Sequence, residues 1–235
     1  MANITGKFDW QRTEIIPAFS QGEDAEALWG SCKEIQTGTM GYDSAQKLIY
    51  GSTPFLAARI DTLVNPLGLR VANLRDLSRP EIMRLAEGKH YIDSPTLVLL
   101  SEQDSYSLNN PLIQKIMQEV SARHEKFPCI VTGFDSAPCE DRGYNRTIIP
   151  REDFKIIYDE RLKGHNGERF SSVDELGLPL FDKAGTRIWY PGSSGLSGLY
   201  LGRYLDLLAG NSHLAYSFSA GRVVIVSGEA SAQKK

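Results

Sequence analysis

Three short runs of strand-like sequence are followed by carboxylates, the groups that hold a divalent cation against a phosphate. Asp76 follows the short strand-like run 69–74, Glu102 and Asp104 follow 96–100, and Asp135 follows 129–132. In open α/β sheets ligands bind beyond the carboxyl ends of the strands. Acids converging there would bind Mg²⁺ and make the chain a metal-dependent enzyme acting on a phosphoester or nucleotide. The competing assignment gives the same acids a local role, since Asp beside Asn, Ser or Gly caps helices and closes turns. The four acids lack the spacing of a metal motif, which favours the local role.

A second candidate is the run from Trp189 through Gly198, in which Gly192, Gly195 and Gly198 recur at every third position. Read as a strand, a glycine loop and the start of a helix, it would let Gly192, Ser193, Ser194, Gly195, Ser197 and Gly198 approach a phosphate at the positive end of a helix. The run resembles the glycine loop of extended short-chain dehydrogenases. That resemblance would imply a dinucleotide, but it ends with this one run. The loop sits near the end of the chain rather than at its start, and no Tyr-x-x-x-Lys pair occurs.

Other chemistry is thinly represented. His90, His124, His165 and His213 stand apart, with no His or Cys at metal spacing, and there is no Gly-x-Ser-x-Gly elbow or Walker loop. Cys32, Cys129 and Cys139 are odd in number and form no C-x-x-C pair, which argues against a disulfide framework and a zinc site and for a reducing compartment. Cys139 lies beside Glu140 and Asp141, whose charges disfavour a thiolate.

The elements that must position these groups are read from period and punctuation. Residues 96–100 and 129–132 are uninterrupted apolar runs of strand length, and between them Asn110-Pro111 opens a helix with Leu112, Ile113, Ile116, Met117 and Val120 on one face. With a strand at 69–74 and a helix after the Ser78-Arg79-Pro80-Glu81 capping box, the pattern predicts an α/β fold. Its centre is a mainly parallel sheet with a β-α-β-α-β core over residues 69–134. Helices are expected at 23–35 and from Ser52-Thr53-Pro54 onward, a further helix at 197–209, and an antiparallel C-terminal β-hairpin in which 214–218 turns at Ala220-Gly221 into 223–226. Residues 1–22 read as an N-terminal arm, 23–230 as a single domain and 231–235 as a polar tail.

With 26 Lys and Arg against 29 Asp and Glu the net charge is −3, and no segment forms a basic arm that would bind nucleic acid non-specifically. No apolar run approaches the length of a membrane span or a signal peptide, so the expectation is a cytoplasmic, soluble protein. Aromatic residues gather at the front (Trp10, Phe19, Trp29) and the back (Tyr190, Tyr200, Tyr204, Tyr216, Phe218), suiting an interface or an ordinary core. Without a catalytic motif, the favoured reading is a non-catalytic subunit acting through protein contacts in a larger assembly, a homo-oligomer being one form of it. It needs no cofactor, and Phe8, Trp10 and Phe19 on the arm are its interface candidates. The alternative is the Mg²⁺-dependent enzyme above.

Overall fold

Pro54 and Pro111 each open a helix. The Thr53 hydroxyl accepts the Leu56 N–H at 3.2 Å and the Asn110 side chain accepts the Leu112 N–H at 3.0 Å, so both N-caps form as their sequences require. The computed structural model describes residues 15–17, 23–102, 110–140, 144–210, 214 and 216–227. In chain order these form β1 (Ile15–Pro17), α1 (Glu23–Cys32), β2 (Gly41–Asp43), β3 (Leu48–Tyr50), α2 (Pro54–Val64), β4 (Leu69–Val71), α3 (Pro80–Ala86), β5 (Tyr91–Leu99), α4 (Pro111–Ala122), β6 (Cys129–Pro138), β7 (Arg146–Tyr158), β8 (Glu168–Val173), β9 (Pro179–Phe181), β10 (Arg187–Tyr190), β11 (Leu196–Leu201), β12 (Leu207–Gly210), β13 (Gly221–Arg222) and β14 (Val224–Ser227).

The central sheet has nine strands in the order β7-β6-β5-β11-β12-β10-β8-β9, with β13 joined to the start of β5. Among the described residues only β10 with β12 and β13 with β5 run parallel; every other pair in this sheet is antiparallel. This overturns the mainly parallel sheet. β5 and β6 are neighbours, yet Leu97 faces Val131 and Leu99 faces Cys129 in an antiparallel ladder. β4 leaves the central sheet altogether for a three-stranded one, β1-β14-β4. The reason is that an uninterrupted apolar run records burial on both faces and carries no information about direction. Leu97, Leu99 and Val131 pack with Phe55, Ile113 and Ile116 under α2 and α4, while Val98 and Ile130 pack on the opposite face with Trp189, Phe170 and Leu77.

Three further expectations are corrected. Residues 197–209 are not a helix: β11 and β12 form an antiparallel pair joined by a turn, with Tyr200 opposite Leu208. Leu201, Tyr204, Leu205 and Leu208 do fall at helical spacing, but Gly198 and Gly202 would each cost a helix about 1 kcal/mol. In the strands these glycines allow close approach, since a Cβ at Gly198 would stand 2.9 Å from the Pro54 ring. The C-terminal hairpin is also absent. Residues 216–218 are not strand, β13 runs parallel to the start of β5, and β14 is inserted between β1 and β4. The Ser78 capping box does not form either: α3 starts at Pro80 with Arg79 at its N-cap, and the Ser78 hydroxyl instead accepts a hydrogen bond from Arg187 at 2.9 Å.

Candidate functional site

Side chains alternate along a strand, so β5 sends Tyr91, Asp93, Leu97 and Leu99 to one face and Ile92, Ser94 and Val98 to the other. The first face is the one α2 and α4 cover over β5, β6 and β7. Beyond the N-terminus of α2 that cover ends. There the same face continues across β11, β12 and β10 as Gly198, Tyr200, Leu208, Gly210 and Tyr190, the floor of a cleft of about 570 Å³. Small residues give it depth: at Gly210 a Cβ would lie 3.0 Å from the Tyr200 ring, and at Gly198 it would strike Pro54.

One wall is the turn between β11 and β12, carrying Arg203, Tyr204 and Asp206; the other is the chain that precedes β13, carrying Tyr216, Phe218 and Ala220. Both are tied down. The Asp206 carboxylate accepts the Ile188 N–H at 2.8 Å, and the Gly202 N–H reaches the Asp206 carbonyl at 2.9 Å. In the second wall, buried Ser217 donates its hydroxyl to the Thr37 carbonyl at 3.1 Å, and the Phe218 N–H donates to the Tyr91 hydroxyl at 3.0 Å. His90 stands 3.3 Å from the Ala220 carbonyl through Nδ1, and burial followed by the charge of Arg222 pushes its pKa down.

Asp93 lies at the base, 4% exposed. Its carboxylate accepts the Ser52 hydroxyl from the residue before the α2 N-cap, and no Lys, Arg or His among the described residues pairs with it. Burial therefore dominates and raises its pKa to about 7, with the Ser52 hydrogen bond opposing. Tyr91 and Tyr200 meet edge to face at 5.7 Å beside it, and burial, then the Asp93 charge, raises both phenols. Aromatic rings stand out at the rim: Tyr204 is 71% exposed, Phe218 63% and Tyr216 50%, the last two in edge-to-face contact at 5.1 Å. A concave, ring-lined cleft with one polar group at its base can hold a ring-sized ligand and direct a hydrogen bond to it. A carboxyl titrating near neutrality can also exchange a proton with what it holds.

The acids singled out from sequence stand in other surroundings. Asp76 is buried and ion-paired with Arg70, and it accepts the Asn73 N–H at 2.9 Å in the local role that turn chemistry predicts. Asp135 lies within β6 rather than beyond its end, paired with Arg59 of α2 at 2.7 Å. Glu102 is exposed on a bend, and Asp104 is outside the described residues. Among the described residues no group of three or more His, Cys, Asp or Glu is placed to hold a metal ion, and Asp76 and Asp135 are each engaged by an arginine.

The glycine run leads into β11 and not into a helix, so the helix dipole expected at Ser193 and Ser194 is missing. Gly192, Ser193, Ser194 and Gly195 connect β10 to β11, where the Gly195 N–H donates to Ser101 Oγ at 3.0 Å and its carbonyl accepts the Leu100 N–H at 2.8 Å. Ser197 and Gly198 are ladder residues opposite Val98 and Leu97. Phe8, Trp10 and Phe19 are outside the described residues.

Asp93 and Ser52 were missed in sequence. The available signal was phase: Asp93 falls in the same alternation as Leu97 and Leu99, where a charge must be buried. The rim tyrosines and Phe218 were visible as an aromatic group, but nothing in the sequence ties them to a residue more than a hundred positions earlier. The chain matches no protein-family model, no curated protein and no solved structure.

Proposed function

We propose that the protein binds a small, ring-sized organic ligand in the cleft between α2, β5 and the β11–β12 pair. The observation that carries this is the convergence of exposed Tyr204, Tyr216 and Phe218 with buried Asp93 on one concave surface. Exposed aromatic groups of this kind mark binding sites, because leaving such rings in water is otherwise unrewarded. The volume of about 570 Å³ falls in the range of small-molecule pockets. Ligand-observed NMR with phenol, indole and cyclohexanol is the test. Saturation should transfer to at least one ring from the parent chain and vanish in Leu208→Trp, which fills the floor from a half-buried position. Equal transfer from parent and variant, or none from the parent, rejects the cleft.

A second reading, the subunit that works through protein contacts, draws on Leu180 and Phe181, both exposed on β9 at the end of the central sheet. The uncharged strand β14 offers no open edge for such a contact, since it is flanked on both sides by β1 and β4 of its own chain. Sedimentation of the parent against Phe181→Glu tests it: self-association that the variant loses supports the reading, and a monomer in both cases removes it.

A further inference from the structure

We propose that the ligand of the cleft is a small organic ammonium, such as a methylated amine, with its cationic head seated on Asp93 beside the rings of Tyr91 and Tyr200. This rests on the binding reading above and gives its chemical class. The argument begins with a missing partner. The other buried aspartates of the described fold are matched to arginines, Asp76 to Arg70, Asp135 to Arg59 and Asp61 to Arg151. Asp93, as deeply buried as any of them, has only the Ser52 hydroxyl among the described residues. An unpaired buried carboxylate is costly, and a cation delivered from solvent removes the cost by supplying the countercharge inside a site already shielded from water.

The walls are of the same character. Ring faces are negative and ring edges positive, so a cation is drawn to the face of a Tyr or Phe, and several rings around one site reinforce the effect. Tyr91, Tyr200, Tyr190, Tyr204 and Phe218 all border this cleft. One of them already holds a cation: the Arg203 guanidinium lies 4.8 Å from the Tyr204 ring centroid. A neutral aromatic ligand would use the rings but leave Asp93 without a countercharge, and an anion would be repelled by the carboxylate. Lys89 and Arg203 stand at the exposed mouth, where they favour an anionic or hydroxylated tail on the far side of the ammonium.

The experiment is a titration calorimetry comparison of choline, phosphocholine and 3,3-dimethylbutan-1-ol, the last having choline's shape with carbon in place of the charged nitrogen. Choline or phosphocholine should bind at least about tenfold more tightly than the neutral alcohol, a difference of 1.4 kcal/mol that one desolvated cation–π contact can supply. Asp93→Asn should cut that preference severalfold, the rings keeping the remainder, while leaving the alcohol unaffected. Tyr204→Leu, at an exposed position where folding is not at risk, should weaken choline more than the alcohol. Equal affinity for choline and its neutral isostere overturns the ammonium assignment and leaves the cleft standing. Binding of phenol or indole without any binding of the two ammonium compounds overturns it in the same way, whereas failure of all of these probes together would count against the cleft itself.

Discussion

Because Asp93 is buried without a countercharge, the folded protein should lose stability as pH rises, the reverse of what paired carboxylates do. Its pKa is raised from an ordinary 3.8 to about 7 by burial. Below about pH 4 the carboxyl is protonated in folded and unfolded chains alike and contributes nothing to the pH dependence. Between the two values the unfolded chain ionises while the folded one keeps its proton, so stability falls with each step upward in pH and levels off above about 7. A separation of about three pH units at 1.36 kcal/mol each comes to about 4 kcal/mol. Asp93→Asn preserves the shape of the side chain and an oxygen to accept the Ser52 hydroxyl, and it cannot ionise. Thermal unfolding followed by circular dichroism from about pH 4 to about pH 8 isolates the effect, because every other titrating group cancels in the comparison of parent and variant. The variant should gain on the parent steadily across this window, reaching roughly 8–16 °C in Tm for a chain of this size. Parallel curves for parent and variant would show that Asp93 is hydrated or paired in solution, and the argument for a cation-seeking carboxylate would go with it.

Leu99→Ala should cost about 2–5 kcal/mol in denaturant unfolding, since Leu99 is fully buried between β6 and β11 where the sheet cannot collapse around the hole; a cost under about 1 kcal/mol would contradict the packing. Gly198→Val should lower stability by about 1–3 kcal/mol and weaken ligand binding together, because the added carbon meets Pro54 at 2.9 Å and pushes the start of α2 off the cleft floor. Unchanged stability in that variant would mean the helix end is not seated there. Millimolar Mg²⁺ should leave Tm unmoved, with Asp76 and Asp135 each already engaged by an arginine; a rise that Asp135→Asn abolishes would restore the metal reading.

Local chemistry was legible in the sequence. Asn110-Pro111 and Thr53-Pro54 start helices where their caps and fixed φ demand, and the alternation or density of apolar residues marks β5, β6 and β14 as strands. These features depend on a few neighbouring residues and survive translation into three dimensions. Strand direction, partner choice and sheet membership did not, because a run such as 96–100 looks the same whether its neighbour runs parallel or antiparallel. Ambiguous stretches were settled by tertiary contact: residues 197–209 satisfy a helical spacing and a strand alternation at once, and the close approach of Pro54 and Tyr200 to Gly198 and Gly210 selects the strands. The cleft is the extreme case. Ser52, Asp93, Tyr200 and Phe218 come from four distant segments, and what distinguishes Asp93 from Asp76 and Asp135 is that no arginine among the described residues pairs with it. Sequence determines which carboxylates exist and which can be buried. Only the fold decides which buried one is left without a countercharge, and so where the chain can bind one.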